Sequence, residues 1–144
     1  MMQLFVKAGL LLAFCVPSLS WADGVALLPA DKAFTLSARK LGANRLAVDF
    51  TMAPGYVLYR DHFKFGANAP TVTMTATYPA AQQRYVAALD KTLSYYTDHV
   101  TVELQVQGAS TPFTLTAVGQ GCAIEQGVCY PPISKDFQVP ALIH

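Results

Sequence analysis

The sequence predicts an all-β domain, an immunoglobulin-like antiparallel β-sandwich, with an open barrel as the architectural alternative. Three observations carry that prediction. Val, Thr, Tyr and Phe recur with period two; Gly, Pro or Asn interrupts the chain about every ten residues; and helical periodicity is nearly absent. Together they describe roughly seven short strands joined by tight turns, without a linker or an internal repeat.

Ahead of the first strand lies a segment of a different kind. Lys7 precedes an apolar run from Ala8 to Val16 that is too short to span a bilayer. Pro17, Ser18 and the small-residue pattern Ser20-Trp21-Ala22 lead from it to Asp23-Gly24, the layout of a secretory signal peptide cleaved after Ala22. Residues 1–22 are therefore read as signal and residues 23–144 as one exported domain. Cys15 raises a lipoprotein reading, but acylation wants a small residue before the cysteine and Phe14 stands there, so Cys15 is read as part of the discarded segment. Loss of Lys7 takes the ten Lys and Arg residues to nine, against nine Asp and Glu. A neutral domain offers no electrostatic footprint for nucleic acid or an anionic membrane surface. No later apolar run is long enough to cross a membrane, so a soluble mature domain is expected.

The strands follow in order. Phe34-Thr35-Leu36-Ser37-Ala38 alternates and meets the turn signal Gly42-Ala43-Asn44. Leu46, Val48, Phe50 and Met52 then share one face while Arg45, Asp49 and Thr51 share the other, the pattern of a half-buried strand. Ala53-Pro54-Gly55 ends it with turn chemistry. A third strand is read from Tyr56 to Phe65, apolar on both faces through Tyr56 and Leu58, Val57 and Tyr59. In a fourth, from Thr71 to Thr77, Val72, Met74 and Ala76 alternate with threonines. Pro79 to Ala88 is the least strand-like stretch and reads as a long loop or short helix. Leu93 to Val106 reads as one long strand that points Val100, Val102, Leu104 and Val106 inward, before Gly108-Ala109-Ser110 turns the chain. Phe113, Leu115 and Ala117 continue the alternation to Gly119-Gln120-Gly121, and Ile133 to Val139 forms the final strand. Met52 and Met74 are read as core fillers. Of Tyr56, Tyr59, Tyr95 and Tyr96, only Tyr59 is kept as a site candidate.

The chemistry-bearing segment runs from Gly119 to Pro132. Two mature cysteines, Cys122 and Cys129, remain in an oxidising compartment, where neighbouring thiols usually pair. Six residues separate them, and glycines before and within the connection suit a tight hairpin that brings the sulfurs together. Spacing alone favours a plain stabilising bridge, because most cysteine pairs of secreted proteins are structural, although closing a loop of about eight residues is worth only roughly 2.5 kcal/mol in the chain-entropy model, near the low end of the usual range. Three other readings compete. A metal site could draw on Cys122, Cys129, His62 and His99, but their spacing matches no zinc or copper motif, and no metal is expected. A cysteine hydrolase pairing Cys129 with His99 would need an unpaired thiol. A non-enzymatic binding or adhesion module with a structural disulfide fits the fold class as well as a redox domain does.

The string Gly121-Cys122-Ala123, followed by Gly127-Val128-Cys129-Tyr130-Pro131-Pro132, resembles the active-site hairpin of the N-terminal periplasmic domain of the thiol:disulfide interchange protein DsbD. Ala53-Pro54-Gly55-Tyr56-Val57-Leu58-Tyr59-Arg60 resembles the Gly-Tyr-x-Leu-Tyr-Arg strand of that family, and Tyr96-Thr97-Asp98-His99 is a weaker third match. The resemblance implies an immunoglobulin-like periplasmic domain that needs no cofactor and shuttles reducing equivalents. Its donor would be the thioredoxin-like domain of a DsbD-type reductase, fed by a membrane-embedded part. Its acceptors would be periplasmic disulfide isomerases or cytochrome c maturation thioredoxins. The chain carries neither the membrane-embedded nor the thioredoxin-like part, so the donor is a separate polypeptide or the sequence is a fragment. By position, Cys129 would form mixed disulfides with partners and Cys122 would resolve them. Tyr59 matches a tyrosine lining the family's site, with Val57 in place of a neighbouring aromatic.

Two departures from the family stand out. Its cysteines are separated by five residues, so the sixth here implies a bulge or a wider turn. Its cap loop carries acidic and aromatic residues where this chain has Ala87-Ala88-Leu89-Asp90-Lys91, with Leu89 in the place of an aromatic. Tyr130 adjoins Cys129 in the motif and is taken with Tyr59, Leu89, Asp90 and Glu125 as a supporting residue. Carboxylates such as Glu125 and Asp90 beside the pair, and no helix N-terminus, predict unremarkable or raised thiol pKa values. Such a reductant would be slow with random disulfides and fast only within a docked complex.

Overall fold

The computed structural model describes residues 26–142, so the segment read as a signal, with Cys15, lies outside the described residues, as do the extreme ends of the predicted domain. A single helical turn, α1 (Ala30–Ala33), precedes β1 (Phe34–Gly42), β2 (Arg45–Met52) and β3 (Tyr56–Tyr59). After a 3-10 turn at Arg60–His62 come β4 (Lys64–Ala67), β5 (Thr73–Thr77) and β6 (Gln82–Val86). A second 3-10 turn at Ala87–Leu89 leads to β7 (Lys91–Tyr96), β8 (His99–Gln107) and β9 (Phe113–Gly119). Last come β10 (Gly121–Ala123), β11 (Val128–Cys129) and β12 (Ile133–Val139). Every strand pairing is antiparallel. Among the described residues, no helix is long and apolar enough to cross a membrane.

One layer of the sandwich is the sheet β1-β2-β8-β5. Its strands alternate as read from the sequence, and Val48, Phe50, Val102 and Leu104 are wholly buried. The facing layer is two sheets in line, β12-β9-β4 and β11-β10-β3-β7-β6. The chain passes directly from one to the other three times, from β3 to β4, from β9 to β10 and from β11 to β12. The first two crossings fall at the same level, where the Tyr59 N–H donates to the Gln120 carbonyl at 3.1 Å. Register records the insertion: Leu58 faces Gly121 and Lys64 faces Val118, so six steps along one strand match three along the other. The 3-10 turn at Arg60–His62 takes up the excess. It also swings Phe63 inward, where its ring lies 4.7 Å from Phe50 of the opposite layer and 6.0 Å from Tyr78.

The fold class stands as predicted, and the strand list needs three corrections. The stretch Tyr56 to Phe65 is two strands in two sheets, because burying Phe63 requires the break just described. The stretch Leu93 to Val106 is also two strands in different layers. They part at Asp98, whose φ of 61° turns the chain while its carbonyl accepts from Met52 N–H at 2.8 Å. Pro79 to Ala88 contains β6 rather than a loop or α-helix. That strand is exposed along nearly its whole length, so its order comes from pairing with β7 and leaves no apolar period to read. Twelve strands result among the described residues, against roughly seven expected.

Candidate functional site

The sheet β11-β10-β3-β7-β6 carries the cysteines, and its register assigns every side chain to a face. Cys129 lies opposite Cys122, and Cys122 opposite Val57. Two residues along β3, Tyr59 lies opposite Tyr95, and Tyr95 opposite Gln82. Leu93 faces Arg84 and Lys91 faces Val86 on the same side. One face of one sheet therefore gathers both cysteines, Val57, Tyr59, Leu93, Lys91 and Arg84. The other face sends Tyr56, Leu58, Tyr96 and Ala123 into the core.

Cys122 and Cys129 form a disulfide with Cα atoms 3.9 Å apart. Tyr130 N–H donates to the Gly121 carbonyl at 2.9 Å, the bond that makes the cysteines a non-hydrogen-bonded cross-strand pair, where side chains approach most closely. The six intervening residues are one further pair, Ala123 with Val128, and a turn at Ile124 to Gly127. Gly127 closes that turn at φ 63°, with its N–H on the Ile124 carbonyl at 3.2 Å. Gly121 is required by close approach instead: a Cβ there would stand 1.9 Å from the Val57 carbonyl oxygen and 3.0 Å from Leu58. The two sulfurs are unequal, since Cys122 is buried at 5% exposure on the Val57 floor and Cys129 is exposed.

Two grooves flank the disulfide. The larger, of about 480 Å³, is lined by Tyr59, His62, Leu89, Lys91, Leu93 and Gln120 with both cysteines. The other, of about 270 Å³, lies between the hairpin turn and the β6 end, where Arg84, Tyr85 and Val86 approach Ile124 and Gly127. Tyr59 lines both. Leu89, at 64% exposure, projects from the 3-10 turn joining β6 to β7 and borders the larger groove.

The remaining sequence candidates are placed elsewhere. The Asp90 carboxylate accepts from the Tyr85 hydroxyl, and that bond raises the Tyr85 pKa. Glu125 is exposed at the hairpin tip. Neither carboxylate lines a groove beside the disulfide, contrary to the flanking positions expected of them. Tyr130 supports the hairpin from beneath, through its backbone. Its ring packs edge-on against Phe34 at 5.5 Å, and its hydroxyl donates to the Leu28 carbonyl. A hydrogen bond with the Tyr56 hydroxyl, followed by desolvation, pushes the Tyr130 pKa up to about 12. His62 edges onto Tyr59 with ring centroids 6.1 Å apart and borders the groove, whereas His99 contacts Asp49 at 3.4 Å in the other layer.

Sequence reasoning missed Gln120, Leu93, Lys91 and Arg84. Gln120 ties the site together, accepting from Tyr59 N–H and donating from Nε2 to the Tyr130 carbonyl at 3.3 Å. Its position between two glycines read only as a turn. The other three belong to the β6–β7 hairpin, whose first strand is exposed and carries no apolar period, so the sequence offered no signal for them.

Comparison with known proteins bears on the whole described chain. The family model for "Thiol:disulfide interchange protein DsbD, N-terminal" matches residues 24–141. The thiol:disulfide interchange protein DsbD of Ralstonia nicotianae is 33% identical over 113 residues, covering 78% of this chain and 18% of the relative. DsbD 1 of Pseudomonas aeruginosa is 34% identical over 119 residues, covering 81% of this chain and 20% of the relative. The chain thus spans about a fifth of the length of these relatives. The solved N-terminal domain of Neisseria meningitidis DsbD in the reduced form superposes with a TM-score of 0.68 at 25% identity, over 79% of this chain and 90% of that one. The N-terminal periplasmic domain of ScsB from Proteus mirabilis shares the fold alone, with a TM-score of 0.55 at 14% identity over 81% of this chain and 49% of that one.

Proposed function

Because this chain belongs to the DsbD N-terminal domain family, whose name denotes thiol:disulfide interchange, we propose that it passes electron pairs between proteins through Cys122 and Cys129. The observation that carries this reading is the unequal exposure of the two sulfurs on a sheet face otherwise free for docking. A donor thiolate attacks the exposed Cys129 Sγ and expels Cys122 as a thiolate. The donor's second thiol then attacks its own bridging sulfur, frees Cys129 and leaves the donor as a disulfide. The domain has gained two electrons and takes up two protons. Delivery reverses the sequence. The Cys129 thiolate attacks an acceptor disulfide, and Cys122 attacks Cys129 Sγ, which releases the acceptor as a dithiol and restores the internal bridge.

In this reading residues 23–144 act as a periplasmic domain after removal of the signal at residues 1–22. A thioredoxin-like domain of a DsbD-type reductase serves as donor. Periplasmic disulfide isomerases or thioredoxin-like cytochrome c maturation proteins serve as acceptors. Tyr59 and Leu89 form apolar walls against which a partner's cysteine loop is held, and Gln120 fixes the hairpin exit to β3. Asp90 positions the β6–β7 turn through Tyr85, and Glu125 marks the tip that a partner passes over.

Trapping tests the assignment. Cys122→Ala, which leaves the exposed sulfur without its resolving thiol, is expected to accumulate mixed disulfides with thioredoxin-like proteins, and Cys129→Ala is not. Capture by Cys129→Ala alone would reverse the roles. The rival reading, a binding module with a structural bridge, separates on potential: a structural disulfide lies below about −300 mV, and a shuttle nearer the thioredoxin range of about −270 mV or above.

A further inference from the structure

The five strands of the disulfide sheet contain neither Asp nor Glu. Their charged residues are Arg84 on β6 and Lys91 on β7, and register places both on the disulfide's face. Each borders one of the two grooves, and His62 borders the larger one as well. Neither Arg84 nor Lys91 forms an ion pair among the described residues, where the cations that do are Arg39, Arg45 and His99 on the other layer. The acids nearest in sequence lie in turns: Asp61 is exposed in the 3-10 turn, Asp98 at the turn from β7 to β8 and Glu125 at the hairpin tip, and Asp90 is engaged by Tyr85. A chain with nearly balanced charge has thus segregated cations to the rim of its reactive face, around an apolar floor of Val57, Tyr59 and Leu93.

Resting on the redox reading above, we propose that this rim selects partners whose surface beside the reactive cysteine is acidic. Arg84 and Lys91 are the specificity-determining residues. Exposed cations around an apolar floor attract an acidic rim and repel a basic one, steering the encounter before the sulfurs meet. The attraction acts on docking and leaves the exchange step itself unchanged.

Two small disulfides of opposite charge report the field at Cys129 without needing the natural partner. The fully reduced domain is mixed with excess oxidised glutathione, which is anionic, or with excess cystamine, which is cationic. In each case the Cys129 thiolate attacks the probe, one probe thiolate leaves, and Cys122 displaces the second as the internal bridge re-forms. The readout is the ratio of the two rate constants, compared between the parent domain and Arg84→Gln/Lys91→Gln, so that the probes' intrinsic reactivities cancel. At low salt the double variant is expected to lower the glutathione-to-cystamine ratio about fivefold or more. In about 1 M salt, where the Debye length is about 3 Å, the difference should vanish. Lys40→Gln, on the far layer, should leave the ratio in place. A ratio unmoved by the double variant, or moved as far by Lys40→Gln, overturns the assignment while the redox function stands. Exchange with these small probes is expected to be slow and is followed at high probe excess; a parent domain inert both to the probes and to the disulfide of a thioredoxin-like protein overturns both. Because the rim residues are exposed on an edge hairpin, the variants should fold, and the salt dependence of the parent ratio supplies a second readout free of substitution.

Discussion

The β2–β8 and β6–β7 ladders are both antiparallel pairs, yet they are built from opposite materials. Along β2 and β8 every second residue is buried, with Val48, Phe50, Val102 and Leu104 at zero exposure. Along β6 and β7 only Tyr96 is buried, and the β6–β7 pair forms the outer part of the sheet that holds the disulfide. The difference teaches where the molecule is fixed and where it is available. Burial anchors one layer, and an edge ladder held mainly by backbone bonds completes the sheet whose other edge carries the cysteines. Segments with few buried apolar contacts open at lower free-energy cost than the core.

The largest effect should come from the anchored layer. Phe50 packs against Phe63 and Phe65 at 4.7 and 6.3 Å between ring centroids. Phe50→Ala is expected to cost about 3–5 kcal/mol in urea unfolding, whereas Leu93→Ala, on the disulfide face, should cost less than about 1 kcal/mol. Equal losses would break the comparison. Gly121→Ala comes next, because its Cβ would meet the Val57 carbonyl at 1.9 Å, and backbone cannot yield as a side-chain tip does. Displacing β10 from β3 is expected to cost up to about 3 kcal/mol. A loss below about 0.5 kcal/mol would mean that the hairpin floats on the sheet rather than resting on β3.

Reduction of the disulfide should matter less than either. The bridge closes a loop already closed by the Ala123–Val128 pair and the Tyr130–Gly121 hydrogen bond. The chain-entropy limit for so short a loop is about 2.5 kcal/mol. Oxidised and reduced domains compared in urea should differ by no more than that. A gap above about 4 kcal/mol would make the bridge a principal support of the fold and weaken its assignment as a shuttle.

What could be read from the sequence follows the same division. Strands that bury one face announce themselves by alternation, which is why β1, β2, β9 and β12 fall where the pattern puts them. The cysteine hairpin is legible because local chemistry, glycines and spacing, dictates it. The β6–β7 hairpin is illegible, since Gln82, Gln83, Arg84 and Tyr85 are all exposed and no period separates their faces. The two broken strands fail for another reason. Arg60–His62 and Asp98 break the chain to change sheets, a demand set by the packing of Phe63 on Phe50 and by the Met52 N–H, partners distant in sequence, rather than by their own propensities. The site is therefore half visible: its sulfurs from spacing and resemblance, its walls and cations only once the sheet is assembled.

The smallest effect sharpens the comparison on the exposed side of the anchored layer, where Asp49 of β2 is held from both neighbouring strands. Arg39 Nε donates to it at 2.9 Å from β1, Thr101 Oγ1 donates at 2.6 Å from β8, and His99 Nε2 lies 3.4 Å away. Burial alone would raise the Asp49 pKa, but the hydrogen bonds from Arg39 and Thr101, with the charges of Arg39 and His99, outweigh it and hold the carboxyl below its ordinary 3.8. A group whose folded-state pKa is depressed adds stability that is complete above the unfolded value and is lost as pH falls through the folded one. Asp49→Asn should therefore lower Tm by a few degrees at pH 7. The gap to the parent should begin to close as pH drops below about 3.8, where the unfolded carboxyl takes up its proton, and should be gone once pH lies below the folded value. Calorimetry across that window checks it, and a gap that persists unchanged into strong acid would place the loss in geometry rather than charge.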